Sequence, residues 1–259
     1  MKKLIAILLV ALMLCATLAS CGVGSDLETV QNNGKLVVGV TVYPPMDYLD
    51  ENNEWTGFDA ELAQMFAESL GVKCQIVIIT WSNKVAELNS NAIDLVWNGM
   101  TASDELGEQI DFSVSYAKNA QVAIVKKGST LTKDDVKTAK IAVENGSAGA
   151  SVAEKDLKAT NIQKVTAQVD ALTEVVAGTS EVAIVDITMA ENIVGTGTYA
   201  DLEILDGAVY GEEVFAVGLR KDSDLKEKLD AFLKDKYADG TLQKLAEKYN
   251  VSLNVDALK

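Results

Sequence analysis

From Leu36 onward the chain alternates between short apolar runs and longer stretches with a helical apolar stripe. Residues 36–40 predict a strand, broken by Tyr43-Pro44-Pro45-Met46, which holds both prolines of the chain. Asn52-Asn53 and Gly57 mark a turn. Asp59 is placed to cap a helix whose apolar face is Leu62, Ala63, Phe66, Ala67 and Leu70, with Gly71 as its stop. A strand over 74–79, a short helix over 84–88 and a buried strand over 95–97 follow. A second series begins with strands over 121–125 and 140–143. It continues with a helix over 169–177 closed by Gly178, a buried strand over 182–185 ending at Asp186, and a strand over 214–219. Two amphipathic helices finish the chain, one carrying Leu225, Leu229, Phe232 and Leu233 on one face, the other Leu242, Leu245 and Tyr249. Such alternation predicts an α/β protein with parallel sheets covered by helices.

Two strand ends share a chemistry. After the run 95–97 come Asn98-Gly99-Met100-Thr101 and then Ser103-Asp104-Glu105; after 140–143 come Glu144-Asn145-Gly146-Ser147-Ala148. A strand that ends in a glycine turn before a helix start leaves backbone N–H groups free to meet a carboxylate or phosphate. Ligands of open α/β sheets also bind at such strand ends. The alternative is an ordinary turn with Thr101 as a helix cap. The two stretches share turn chemistry but not residues, so they are not an internal repeat.

The N-terminus stands apart from this pattern. Lys2-Lys3 precede an apolar run over 4–14, which predicts a secretory signal over residues 1–20, too short to span a membrane stably. Leu18-Ala19-Ser20-Cys21 resembles a bacterial lipobox, in which Cys21 becomes the acylated N-terminus; an ordinary signal peptide with an incidental cysteine is the alternative. Residues 21–29 then read as a tether. The remainder is long enough for one large domain or two ordinary ones.

Composition narrows the chemistry. Formal charge is −15 and pI about 4.4, which argues against nucleic acid and against a basic membrane-binding patch. No histidine is present, which removes Ser–His and Cys–His nucleophiles and the commonest metal ligand. Cys74 is the one cysteine besides Cys15 and Cys21, so no disulfide framework and no zinc site are expected; it reads as a small core residue. No cofactor is expected either.

The order of motifs resembles the family 3 extracellular solute-binding proteins of bacterial ABC importers. Its marks are Gly34-Lys35-Leu36-Val37-Val38-Gly39, Tyr43-Pro44-Pro45, Thr56-Gly57-Phe58-Asp59, Asn98-Gly99-Met100-Thr101, Asp111-Phe112-Ser113, Gly146-Ser147, Asp186 and Asp239-Gly240-Thr241-Leu242. The resemblance implies a two-lobe periplasmic-binding-protein-like fold of type II with two crossovers. Lobe one would hold residues 30–117 plus 214–259 and lobe two 120–210, with hinges near 117–120 and 211–214. A small polar solute, an amino acid first, would bind between lobes that close on it. A permease and ATPase complex would be the partner, and the protein a monomer held at the membrane by its lipid alone.

The resemblance also assigns residues. The Gly99 backbone and Thr101 match carboxylate-binding positions, with Asn98 and Met100 beside them. Ser147 and Ala148 lie where lobe two closes on the carboxylate, Ala148 replacing a common threonine. Asp186 matches the ammonium-binding acid; the alternative is a helix cap. Tyr43 matches an aromatic that packs on the solute, and Trp81 and Phe58 can join it, whereas Trp97 sits within a strand run and reads more simply as core. Leu106 is the main departure, because an arginine forked onto the carboxylate is usual there. Either dipoles and hydroxyls hold the carboxylate, or a basic group reaches in from elsewhere, or the solute is not a standard α-amino acid. Two other functions fit the same scaffold: a dehydratase of the prephenate/arogenate type with Asp186 or Glu144 as general acid, and a sensory binding protein. The absence of histidine and the lipobox weigh against the enzyme.

Overall fold

The structure, a computed structural model, describes residues 25–259. The expected signal, the cleavage site and Cys21 lie outside the described residues. In chain order the strands are β1 (Lys35–Val40), β2 (Tyr48–Leu49), β3 (Trp55–Thr56), β4 (Lys73–Ile78), β5 (Leu95–Val96), β6 (Asp111–Phe112), β7 (Ala117–Lys126), β8 (Ile141–Glu144), β9 (Ile162–Val165), β10 (Val182–Asp186), β11 (Leu202–Phe215) and β12 (Gly218–Leu219). The helices that matter below are α1 (Asp26–Asn33), α2 (Phe58–Ser69), α3 (Lys84–Asn89), α4 (Asp104–Gly107), α5 (Ala148–Ser151), α6 (Gln168–Ala177), α7 (Ile187–Ile193), α8 (Leu225–Ala238) and α9 (Thr241–Tyr249).

Two five-stranded sheets form the frame, in the orders β4-β1-β5-β12-β6 and β11-β7-β10-β8-β9. Each has a parallel half, β4-β1-β5 in one and β10-β8-β9 in the other. The remaining pairings are antiparallel. The chain passes between the sheets twice, on β7 and β11, and those passages pair with each other: Asn119 faces Glu213, Lys118 faces Val214 and Ala117 faces Phe215. The molecule thus has two lobes joined by an antiparallel ribbon, with a cleft at the carboxyl ends of β5, β8 and β10.

Apolar periodicity accounts for most elements. Val38, Val40, Leu95, Ala183 and Val185 are buried strand residues, and Leu62, Phe66, Leu229, Leu233 and Leu242 turn the helix stripes onto them. At about 25 cal/mol per Å2 of apolar area, such burial is the main favourable term of folding. Cys74 packs against this core, and burial pushes its thiol up to about 12, as expected of a small core residue.

Four expectations change. Residues 26–29 are not tether but the start of α1: Ser25 caps it, Val30 is buried, and Leu27 N–H donates to Asp224. Asp59 does not cap its helix, because Gly57 holds the cap position with a φ of 122°. The expected strand over 214–219 is the end of β11 and the start of β12, with a break at Ala216-Val217. Most of β11 escapes hydrophobic patterning, since Glu203, Asp206, Gly207 and Glu212 interrupt it and two register shifts bend it against β7.

Candidate functional site

A cavity of about 450 Å3 lies between the lobes. Of the ten residues expected at a binding site, Trp81, Asn98, Gly99, Met100, Thr101, Ser147, Ala148 and Asp186 line it. Tyr43 and Phe58 do not. Both are buried in lobe one, where Phe58 stacks on Tyr116 and Tyr43 meets Phe215 edge-on. The Tyr43 hydroxyl still acts on the Asp186 carboxyl from behind the lining. Tyr43 nevertheless supports the lining from behind: a Cβ on Gly99, whose φ is 54°, would meet its ring at 2.5 Å. Trp97 is fully buried against Phe66 and Tyr116, so its core reading holds.

The lobe-one turn is largely satisfied from within. The Gly99 N–H, expected to face a solute, donates to Asp59 Oδ2 at 2.6 Å, and Tyr116 donates to the same oxygen at 2.8 Å. The Asn98 amide is equally occupied. Its oxygen accepts from the Thr41 N–H and hydroxyl, both at 2.9 Å, and its nitrogen donates to Thr41 O and to Asp47 Oδ2. The Gly99 N–H and the Asn98 side-chain amide are therefore not free for a solute. Thr101 differs. It forms an antiparallel bridge with Phe215, but the bonds of that bridge belong to Ala102 and Met100, which leaves the Thr101 N–H outside the ladder. Ser103, not Thr101, caps α4.

Behind the turn sit two acids. Burial raises Asp47 and Asp59, Asp59 to about 7, while the bonds from Gly99 and Tyr116 oppose the rise. Neither residue lines the cavity.

The opposite wall carries Asp186 at the end of β10. Its side chain makes no cap bond to α7. It accepts instead from Asn119 at 2.6 Å, from Gln121 and from Gln168. These amides have fixed orientations. Asn119 oxygen accepts from the Thr188 hydroxyl at 3.0 Å, and Gln168 oxygen accepts from Asp186 N–H at 2.9 Å. Beside it stands Glu213, on the hinge strand β11. Its Oε2 accepts from Asn119 and Gln121 at 3.1 Å each and from Thr101 at 2.8 Å. Two carboxylates share two amide donors. Burial, and then Glu213, push Asp186 up to about 6. Sequence reading missed Glu213, and Glu212-Glu213 inside a polar stretch gives no pattern that separates a cleft acid from a solvated one.

A third acid, Glu144, ends β8. It is 2% exposed with no partner for Oε1, and burial, then Asp186, raise it to about 8. Lys84 opposes these acids. The chain's single arginine is far from them in role: Arg220 binds Asp26, Asp94 and the carbonyls of Leu88 and Ile93. Position 106 indeed presents leucine to the cavity.

The lobes touch across the cleft. Lys84 Nζ donates to Gly146 O at 3.0 Å, and Lys155 pairs with Glu105 at the rim. A Cβ on Gly146 would lie 3.1 Å from the Ser82 backbone. This is the closed arrangement of the cleft. Among the described residues no cluster of three or more metal-ligating side chains occurs.

Comparison with known proteins agrees with this geometry. Residues 36–252 match the family described as bacterial extracellular solute-binding proteins, family 3. The L-cystine-binding protein TcyJ of Escherichia coli K12 is 30% identical over 253 residues, covering 96% of this chain and 94% of that protein. The arginine-binding extracellular protein ArtP of Bacillus subtilis is 28% identical over 256 residues, covering 96% and 98%. The crystal structure of a P235GK mutant of the arginine-binding protein ArgBP from T. maritima superposes with a TM-score of 0.81 at 29% identity, covering 86% of this chain and 98% of that one. The chain belongs to the family 3 bacterial extracellular solute-binding proteins.

Proposed function

We propose that this protein is the solute-capturing component of an ABC importer and that its solute is an amino acid. The observation that carries the reading is the pair Asp186 and Glu213, two carboxylates that line one cavity and share donors, with no side-chain cation among the described residues in contact with either. Bringing like charges together in a nearly dry site is costly until a cation joins them. A solute ammonium supplies that cation. It would accept the role only when both lobes surround it, because Asp186 belongs to lobe two while Thr101, bonded to Glu213, belongs to lobe one. Binding thereby shifts the hinge equilibrium toward closure. The names of the relatives, cystine- and arginine-binding, support an amino acid over other amines.

The ligand-binding roles of Thr101, Ser147 and Asp186 stand within this reading, with Glu213 added. So does the lipid anchor at Cys21, which would hold the protein outside the membrane as a monomer beside its permease and ATPase. Thermal-shift screening of the mature chain against amino acids, matched amines and matched carboxylic acids tests the solute class, since a true ligand raises the melting temperature by mass action. The expected result is stabilisation by an amino acid and none by the carboxylic acid that lacks the amine. Turnover of prephenate in the same preparation would favour the dehydratase instead. Cys21→Ala should leave unprocessed, unacylated precursor in a bacterial host.

A further inference from the structure

The cavity holds a buried cation whose partner is missing. Three lysines line it: Lys84, Lys155 and Lys164. Lys155 pairs with Glu105 and Lys164 with Glu154, all with side chains at least 40% exposed. Lys84 is different. It is 6% exposed, opens α3, and folds its ammonium back over the ring of Trp81, 4.6 Å from the centroid. Its Nζ donates to two neutral carbonyls, Trp81 O at 3.3 Å and Gly146 O at 3.0 Å. Among the described residues no carboxylate lies within ion-pair distance of it. An ammonium has three donors, and both hydrogen bonds it makes here end on neutral oxygens.

Burying a charge without a counter-charge in contact is among the costlier arrangements a protein can hold. The nearest acid, Glu144, acts on Lys84 through space and not by contact, and it acts on Asp186 in the same way. Its own Oε1 is also without a partner. Lys84 and Asp186 line one cavity, and Glu144 acts electrostatically on both.

We infer that Lys84 holds the carboxylate of the solute whose ammonium meets Asp186 and Glu213. Lys84 is then the charged half of the carboxylate subsite in a cleft whose position 106 is leucine and whose one arginine is engaged elsewhere. The same ammonium bonds to Gly146 of lobe two, so it couples the solute's carboxylate directly to closure. The site is specific for zwitterions over simple amines, because an amine would leave Lys84 uncompensated.

This inference rests on the reading that the cavity takes an amino acid, and its test separates the two. The probe is the L-amino acid, from the proteinogenic set plus L-cystine, that most raises the melting temperature of the wild-type protein. It is titrated calorimetrically beside its α-carboxamide, which keeps the amine and side chain but has no negative charge. Wild type should prefer the acid by thirtyfold or more. Lys84→Met should reduce that preference to threefold or less, whatever the loss of the Gly146 bond does to both affinities together. Lys84→Gln is the second variant. It retains a donor for Gly146 O without the charge, and should lose the preference in the same way, which a merely structural latch would not predict. Preference retained in a variant that binds overturns the inference and leaves the amino-acid reading intact. Failure of every probe to bind wild type overturns both.

Discussion

Two pairs of carboxylates flank the cleft, all but the half-buried Glu213 fully buried, and they have opposite fates. Asp47 and Asp59 lie behind the lobe-one turn, and Asp186 and Glu213 lie at its far wall. Burial raises the first pair and Asp186 alike. Perturbed titration therefore does not tell a binding acid from a structural one. Direction does. Asp59 spends its oxygen on the Gly99 N–H and the Tyr116 hydroxyl, and Asp47 on Asn98, so both brace the turn from inside the lobe. Asp186 and Glu213 are braced by side-chain amides, and both line the cavity. One pair builds the wall; the other is the part of the wall that a solute can touch.

That contrast is breakable. The largest effect is expected from Asp186→Ala, which should weaken the solute at least thirtyfold, about 2–5 kcal/mol. Calorimetry checks it, and unchanged affinity would place Asp186 with the structural pair. Asp59→Ala should do the reverse: it strands a buried N–H and a buried hydroxyl, and should lower urea-measured stability by about 2–4 kcal/mol with a smaller effect on affinity. A variant with native stability and lost binding would reverse the assignment.

Glu213→Gln comes next. Removing the like charge should pull Asp186 below its present value of about 6, visible by carboxyl NMR, and weaken an amine solute about tenfold. In the wild type, affinity for an amine should fall as pH drops below about 6, because the protonated carboxyl no longer attracts it. A flat profile there would remove the Asp186 charge from binding.

Glu144→Gln tests a carboxyl outside both pairs, through pH dependence alone. The folded value of Glu144, about 8, lies above its ordinary 4.5. Its contribution to stability is therefore fully present below pH 4.5 and lost as pH rises to about 8. The glutamine variant lacks that loss, so its melting temperature should gain on the wild type between pH 5 and 8 and track it beyond. A constant gap across that window would mean that Glu144 titrates normally.

The two α/β series, the paired turns and the strand end at Asp186 could be read from the chain because each leaves a local trace: a period in hydrophobicity, a glycine after a strand, an acid after a buried run. The division into lobes came from the resemblance. What escaped was of another kind. The Gly99 N–H looked available because its partner, Asp59, is forty residues away, and as a helix residue Asp59 is more simply read as a cap. Glu213 is one acid among many in a chain of net charge −15. Lys84 is one residue of a short helix and is marked only by where α3 starts. Each owes its role to a contact across the fold, and sequence spacing carries no record of such contacts.

The ribbon of β7 and β11 carries a final consequence. Asn119, Gln121 and Glu213 sit on it, where the two lobes join, whereas Lys155 and Glu105 meet at the lip. A small rotation barely displaces the anchoring acids, yet the long lever arm swings the lip wide. Exposed pairs at such a lip contribute little binding energy. They can still govern how often the jaws part, so this chain can adjust the tempo of solute exchange with residues that scarcely alter how tightly the solute is held.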